Sequence, residues 1–320
     1  MRDAFVARLE SLAAADDRVF LITGDLGYGV LDGYARRFPR QFLNIGVAEQ
    51  NMTGVATGLA LEGRIVFTYS IANFTTLRCL EQIRNDAAYH DANVKVVAIG
   101  GGFSYGALGM SHHATEDLSI MRSLGIPVVA PGCTWEAQEA VTALTDTPGT
   151  CYLRLDKTSA DSTHKPGESF VLGRARIVRD GDDVAIISAG GILKVVLEVA
   201  ERLAKKGVSC RVISMHTVNP LDRDAVLAAA SETGGIVTVE EHTILGGLGG
   251  AVAECCLDAG ITPRVFRRIA LQAGAPHLVG SQEYLRSRYG MDADSITEAV
   301  RNALGVAEQD SSVGLGARSL

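Results

Sequence analysis

The chain has little positive charge to spare. Its 30 Lys and Arg stand against 37 Asp and Glu, for a formal net charge of −7, and no basic stripe or arginine-rich tail breaks that balance. Such a surface repels phosphate backbones and anionic lipid, so nucleic acid and membranes are excluded as partners. Long apolar runs are missing too. None approaches the roughly 18 residues needed to cross a bilayer, and the opening "MRDAFVARLESLAAADDR" reads as an amphipathic helix with Phe5, Leu9 and Leu12 on one face, without the apolar core of a signal peptide. The six cysteines are scattered and form no C-x-x-C pair, so reduced thiols and a cytoplasmic location are expected. No G-x-x-x-x-G-K-[ST] phosphate loop occurs.

What is present is an alternation. With 320 residues, 47% of them hydrophobic, two ordinary domains can each bury a core. Short β-branched runs read as buried strands: "VFLIT", "RIVFTY", "VKVVAI", "PVVA" and "CYLRL" in the first half, then "VAIIS", "SCRVIS", "GIVTVEE" and "RVFRRIAL". Helix-length segments separate most of them. The expected fold class is α/β: two domains, each a mostly parallel sheet with helices on both faces. The boundaries expected are 1–157 for the first domain, a polar, turn-rich linker at 158–172, the second domain at 173–306 and a disordered tail at 307–320.

Four segments carry candidate chemistry. "GGLGGAVAE" (Gly246–Glu254) sits between a strand and a helix, but Val252 stands where a dinucleotide fingerprint needs a third Gly or Ala, so a close strand-to-helix turn is expected. "GFSYG" matches the nucleophile elbow around Ser104, with Asp222 and His242 or His277 as nominal partners. However, the chain runs on into another loop rather than a helix, which leaves a serine hydrolase as a distant alternative. "SHHATED" offers adjacent histidines, which rarely converge on one metal ion; no metal ligands are assigned. Its acids suit a helix start capped by Ser111 or Thr115, and His112 and His113 are candidates for handling substrate oxygens. Finally, "NIGVAEQNMTGVATGLALEG" holds a single carboxylate near its start, Glu49, at the front of a helix of small residues. An acid there complements the helix dipole. Among Val47, Ala48, Met52 and Val55 it also risks desolvation, and burial disfavours the charged form, which suits a group that shares a proton with a heterocyclic nitrogen.

The order of motifs resembles the carboxy-terminal half of transketolases, especially those encoded by two genes. "TGDL" is followed by the Glu49 helix, "NFTTLRCLEQIRNDAAYHDANVKVVAIG", "GMSHHATEDLSIMRSL", "CYLRLDK" and "VEEHTILGGLGGAVAE". The series is also similar to 1-deoxyxylulose-5-phosphate synthase and to the beta subunit of 2-oxoacid dehydrogenase first components. The resemblance spans about Arg2 to Leu304. It implies a pyrimidine-binding domain followed by a transketolase C-terminal domain, and a catalytic Glu49 that hydrogen-bonds N1′ of the aminopyrimidine of thiamine diphosphate. Phe74 would stack on that ring, with Tyr69 as the alternative, and Asp25 matches a cofactor-side acid at the end of the first strand. His112 would contact the oxygen on the reacting carbon. With His113 it lines the substrate side, while Arg154, and Arg2 beside it, would grip a sugar phosphate.

Family members hold the diphosphate and its Mg2+ or Ca2+ through a G-D-G…N motif, and no Gly-Asp-Gly occurs here. The resemblance therefore implies a partner subunit carrying that motif, a cofactor at the interface and an α2β2 heterotetramer. Leu108 stands where transketolases have an acceptor-reading aspartate, glycine near Gly100 replaces a donor-channel histidine, and Gly29 replaces a phosphate-binding serine. Together these changes point to an unusual acceptor. The function implied is two-carbon ketol transfer from a ketose, phosphorylated in the usual case, to an aldehyde-type acceptor in carbohydrate metabolism. The alternative is an acyl-transferring subunit of 2-oxoacid dehydrogenase type.

Overall fold

A computed structural model of the chain describes residues 1–305 except 162, 273 and 275; the expected tail, 307–320, lies outside the described residues. Twelve strands are present among them: β1 (Val19–Thr23), β2 (Phe42–Asn44), β3 (Ile65–Ile71), β4 (Val94–Ile99), β5 (Val128–Val129), β6 (Cys151–Leu155), β7 (Arg176–Arg179), β8 (Val184–Ala189), β9 (Cys210–Ser214), β10 (Thr217–Asn219), β11 (Ile236–Thr243) and β12 (Phe266–Leu271). They form two sheets, ordered β10-β5-β6-β4-β3-β1-β2 and β12-β11-β8-β9-β7.

Both sheets are parallel except at one edge each. β7 runs antiparallel to β9, and β10 runs antiparallel to β5. Every residue of β4 and β6 is buried, as expected of parallel strands covered on both faces.

Alternation along the strands sorts side chains into layers. In the first sheet Leu21 and Val97 point to the helix Arg2–Ala15, meeting Phe5 and Leu9. Their neighbours Ile22 and Val96 point the other way, to Met52, Ala56 and Leu118. In the second sheet Val184 and Ile186 pack on Leu193, Val196 and Val300. Ala185 and Ile187 instead join the same cluster as Ile22 and Val96. One apolar core is thus continuous between the two sheets.

The connection is also hydrogen-bonded. After β9 the chain crosses to the first sheet, where β10 becomes its edge strand; Ala130 N–H donates to His216 O at 2.8 Å and Gly190 N–H to Ala130 O at 2.9 Å. The loops at the carboxyl ends of β1, β3 and β4 gather on one side. That is where parallel α/β sheets bind ligands.

The helix Glu49–Leu61 buries Glu49, Met52, Thr53, Ala56, Thr57 and Ala60, the 3–4 spacing of a single face. Gly54 and Gly58 lie on the opposite, exposed side, and a Cβ added to either would meet nothing within 4 Å. Close packing therefore comes from the alanines and threonines. The glycines leave the outward face of the helix flat.

Candidate functional site

Glu49 is the first residue of its helix, preceded by Ala48 with no side-chain cap. Its side chain is 2% exposed. Oε2 accepts from Arg78 Nη1 at 2.7 Å, and the hydroxyl of Ser70 on β3 approaches Oε1 at 3.4 Å. Gly24, just beyond β1, lies so near that a Cβ there would come 3.3 Å from Glu49 Cγ. A carboxylate out of water is costly unless paired, and here the Arg78 guanidinium supplies the charge.

Phe74 lies in the short helix Ala72–Thr76 that follows β3. Arg78 covers its ring, with Cζ 4.3 Å from the centroid, a cation–π distance. The His112 imidazole meets the same ring edge-on at 5.0 Å. Ser111 Oγ lies 2.9 Å from His112 Nδ1, and Asn73 Nδ2 donates to Ser111 O at 2.7 Å. Burial lowers the His112 pKa, and the neighbouring His113 and Arg78 add to the effect. Glu49, Arg78, Phe74 and His112 thus form one connected group drawn from three separate stretches of sequence.

The other expected site residues have partners of their own. Tyr69 is buried and stacked on Phe5 at 5.9 Å, with its phenol pKa raised by burial; this leaves Phe74 as the available ring. Asp25 adopts a left-handed conformation (φ 55°). It is held by Asn44 Nδ2 at 3.0 Å and the Tyr28 hydroxyl at 2.7 Å, two bonds that lower its pKa. His113 is 1% exposed, with Nε2 3.1 Å from Gly106 O and Nδ1 buried without a partner. It supports the loop from behind, at Gly106.

Arg154 departs furthest from expectation. Its side chain is 2% exposed, with Nε on Asp156 (3.1 Å), Nη1 on Asp117 (3.2 Å) and Nη2 on the Glu241 carbonyl (3.0 Å). Burial works to lower its pKa, but Asp117 and Asp156, with Tyr152 and Glu241, raise it overall. Buried and tied to these three partners, the guanidinium is turned away from any ligand in solvent. Asp117 also accepts from the Tyr152 hydroxyl at 2.6 Å, so the acid expected to serve a helix start belongs to this buried network. Neither Thr115 nor Ser111 caps the helix Asp117–Ser123.

Two nearby cations that face outward are Lys157 and Arg2. Lys157 Nζ sits 3.7 Å from the centroid of Tyr105, whose ring is 6.2 Å from His112. Its pKa is lowered by partial burial and then by the charge of Arg2; Arg2, paired with Asp3, is half exposed. Tyr105 also explains Gly100, because a Cβ there would lie 2.2 Å from the Tyr105 ring.

Two rival motifs are absorbed by structure. Ser104 Oγ is approached by the backbone N–H of Lys157 at 3.4 Å, and among the described residues it has no imidazole partner. Glu240 accepts from the amides of Leu248 (2.7 Å) and Gly249 (2.8 Å), filling the helix start that a phosphate loop would leave open. Among the described residues no cluster of three His, Cys, Asp or Glu is placed to hold a metal ion, and no helix is long and apolar enough to cross a membrane.

The chain as a whole has known relatives. The family description "Transketolase, pyrimidine binding domain" matches residues 1–162, and "Transketolase, C-terminal domain" matches residues 173–296. The chain is 34% identical to an apulose-4-phosphate transketolase subunit of Phocaeicola vulgatus, over 92% of this chain and 94% of the relative. It is 35% identical to a 6-deoxy-6-sulfo-D-fructose transketolase subunit of a Clostridium species, over 93% and 92%. Among solved structures, a split-gene transketolase described as an inactive beta4 tetramer superposes with a TM-score of 0.84 at 32% identity, covering 96% of this chain and 98% of that one.

Proposed function

The chain belongs to the transketolase family, and from that premise we propose that it is the carboxy-terminal subunit of a split transketolase. It moves a two-carbon ketol unit from a ketose to an aldehyde-type acceptor, in company with a second subunit. The relatives that it matches from end to end are themselves single subunits of such enzymes. On this reading residues 1–157 form the pyrimidine-binding domain and residues 173–306 the C-terminal domain. The partner carries the G-D-G…N motif, holds the diphosphate with Mg2+ or Ca2+, and completes an α2β2 assembly. All six cysteines are free and buried, in keeping with the cytoplasm.

One observation carries the proposal: a carboxylate 2% exposed and an aromatic ring are bridged by a flat nitrogen cation. That donor set fits the aminopyrimidine of thiamine diphosphate, a flat ring with a nitrogen to be hydrogen-bonded on its edge. When bound, the cofactor supplies the carbon nucleophile and the electron sink that carbon–carbon cleavage needs.

The chain's own residues do the rest. Glu49 holds the proton at the ring nitrogen N1′, and the packed helix behind it fixes its position. Phe74 orients the ring by stacking. The lowered pKa of His112 keeps the imidazole neutral at neutral pH. In the tautomer where the Ser111 hydroxyl donates to Nδ1, Nε2 carries a proton for the oxygen on the reacting carbon. Lys157 and Arg2, on the rim beyond Tyr105, take an anionic end of the sugar in place of the buried Arg154. Leu108, 56% exposed, presents an apolar surface where other transketolases read a hydroxyl, and so favours an acceptor without one there.

The test is reconstitution with the diphosphate-binding subunit. Xylulose 5-phosphate, apulose 4-phosphate and 6-deoxy-6-sulfofructose are offered as donors beside pyruvate. Consumption of a ketose supports the proposal; consumption of pyruvate alone reassigns the subunit to the 2-oxoacid dehydrogenase type, and fluorophosphonate labelling of Ser104 would revive the hydrolase.

A further inference from the structure

The sequence gives Arg78 no role, yet its side chain touches both residues assigned to the pyrimidine. Nη1 donates to Glu49 Oε2 at 2.7 Å while Cζ lies 4.3 Å over the Phe74 ring. A guanidinium is flat and delocalised, with N–H donors along its edge. An aminopyrimidine held by a carboxylate and an aromatic ring would show the same features to the same partners. Because Arg78 already spans Glu49 and Phe74, a heterocycle cannot rest against both while it stays.

We propose that Arg78 is a placeholder, seated in the free subunit where the pyrimidine of the cofactor will lie and displaced when that ring arrives. The inference rests on the assignment of Glu49 and Phe74 made above. Exposure decides which partner moves. The Glu49 side chain is 2% exposed and that of Arg78 is 43% exposed. Arg78 can therefore turn into water and be hydrated, whereas Glu49 has nowhere to go. A buried carboxylate left without a cation would be costly in the free chain, so Arg78 keeps the seat formed until cofactor and partner come together. While it is bound there, Glu49 is engaged with a permanent cation and cannot serve the ring nitrogen. Arg78 is thus a positioning residue that holds Glu49 out of use in the unassembled subunit.

The experiment compares thiamine diphosphate binding by the wild-type complex, including the diphosphate-binding subunit, with binding by the Arg78→Met complex, using calorimetric titration in Mg2+. Expulsion of the guanidinium reduces wild-type affinity, so Arg78→Met is expected to tighten the dissociation constant by at least about threefold. In the isolated subunit the same substitution lowers the melting temperature, and adding Glu49→Gln returns most of the loss. If Arg78→Met fails to fold, Arg78→Gln serves both measurements. A dissociation constant unchanged or weaker in the variant overturns the placeholder, since Arg78 would then stay beside the bound ring. Failure of the wild-type complex itself to bind thiamine diphosphate overturns the assignment of the site, and the placeholder with it.

Discussion

Arg154 and Gly101 share so little space that a Cβ on residue 101 would lie 1.7 Å from Arg154 Nε and 2.5 Å from Asp156 Oδ1. The loop after β4 can pass over the buried guanidinium only as bare backbone. Gly101→Ala is therefore expected to destabilise the chain by about 1–3 kcal/mol, the usual cost of forcing atoms into a filled core. Urea unfolding of the isolated subunit measures it. An unchanged midpoint would mean that Arg154 does not sit against the loop.

Arg154 itself separates two roles. As the partner of buried Asp117 and Asp156, its replacement in Arg154→Met leaves carboxylates unpaired and should cost about 3–5 kcal/mol of stability. Had it gripped a sugar phosphate, the same change would raise KM for a phosphorylated donor and leave stability alone. Urea unfolding beside donor KM distinguishes these outcomes, and the geometry favours the first.

Glu49→Ala is expected to lower turnover of the reconstituted enzyme by at least about a hundredfold, within the range for loss of a positioned proton-transfer group. Size-exclusion chromatography should show the assembly intact. Full activity in the variant would remove Glu49 from the chemistry.

The pH dependence has a local reporter. Hydrogen bonds from Arg176 hold the Glu168 carboxyl down at about 2, and Arg176 lies 4.7 Å over the ring of Trp135, the only tryptophan in the chain. A depressed folded-state pKa gives stability that is present above the unfolded value of about 4.3 and is lost as pH falls from there towards 2. Trp135 fluorescence should follow that loss. Glu168→Gln should lower stability at neutral pH and flatten the decline below pH 4.

The sequence was most legible where burial is complete. β4 and β6 follow the bounds of their apolar runs because strands covered on both faces show no competing pattern. β2 and β10 are three residues long and β7 is half exposed; such edges leave little periodicity to read. That β10 crosses to the other sheet depends on a pairing between Thr217 and Val129, which no local pattern encodes.

The site divides in the same way. Glu49 stood out as one acid in a small-residue helix. Arg154 and His113 look like surface or substrate-facing groups until Asp117, Glu241 and Gly106 are seen around them, and the Glu241 carbonyl lies 87 positions away from Arg154. Arg78 had a signal that could have found it. A cation four residues after an aromatic, in a helical stretch, falls over that ring.

The β10 edge strand also bears on how such a chain can be recombined. Because residues after 173 lend their backbone to the first sheet, neither half is a free-standing cassette. A chimaera that took its second half from a relative would graft a foreign strand beside Val128 and Val129. Exchanges that keep β5 and β10 from one parent should yield well-behaved protein more often than exchanges made at the connecting segment.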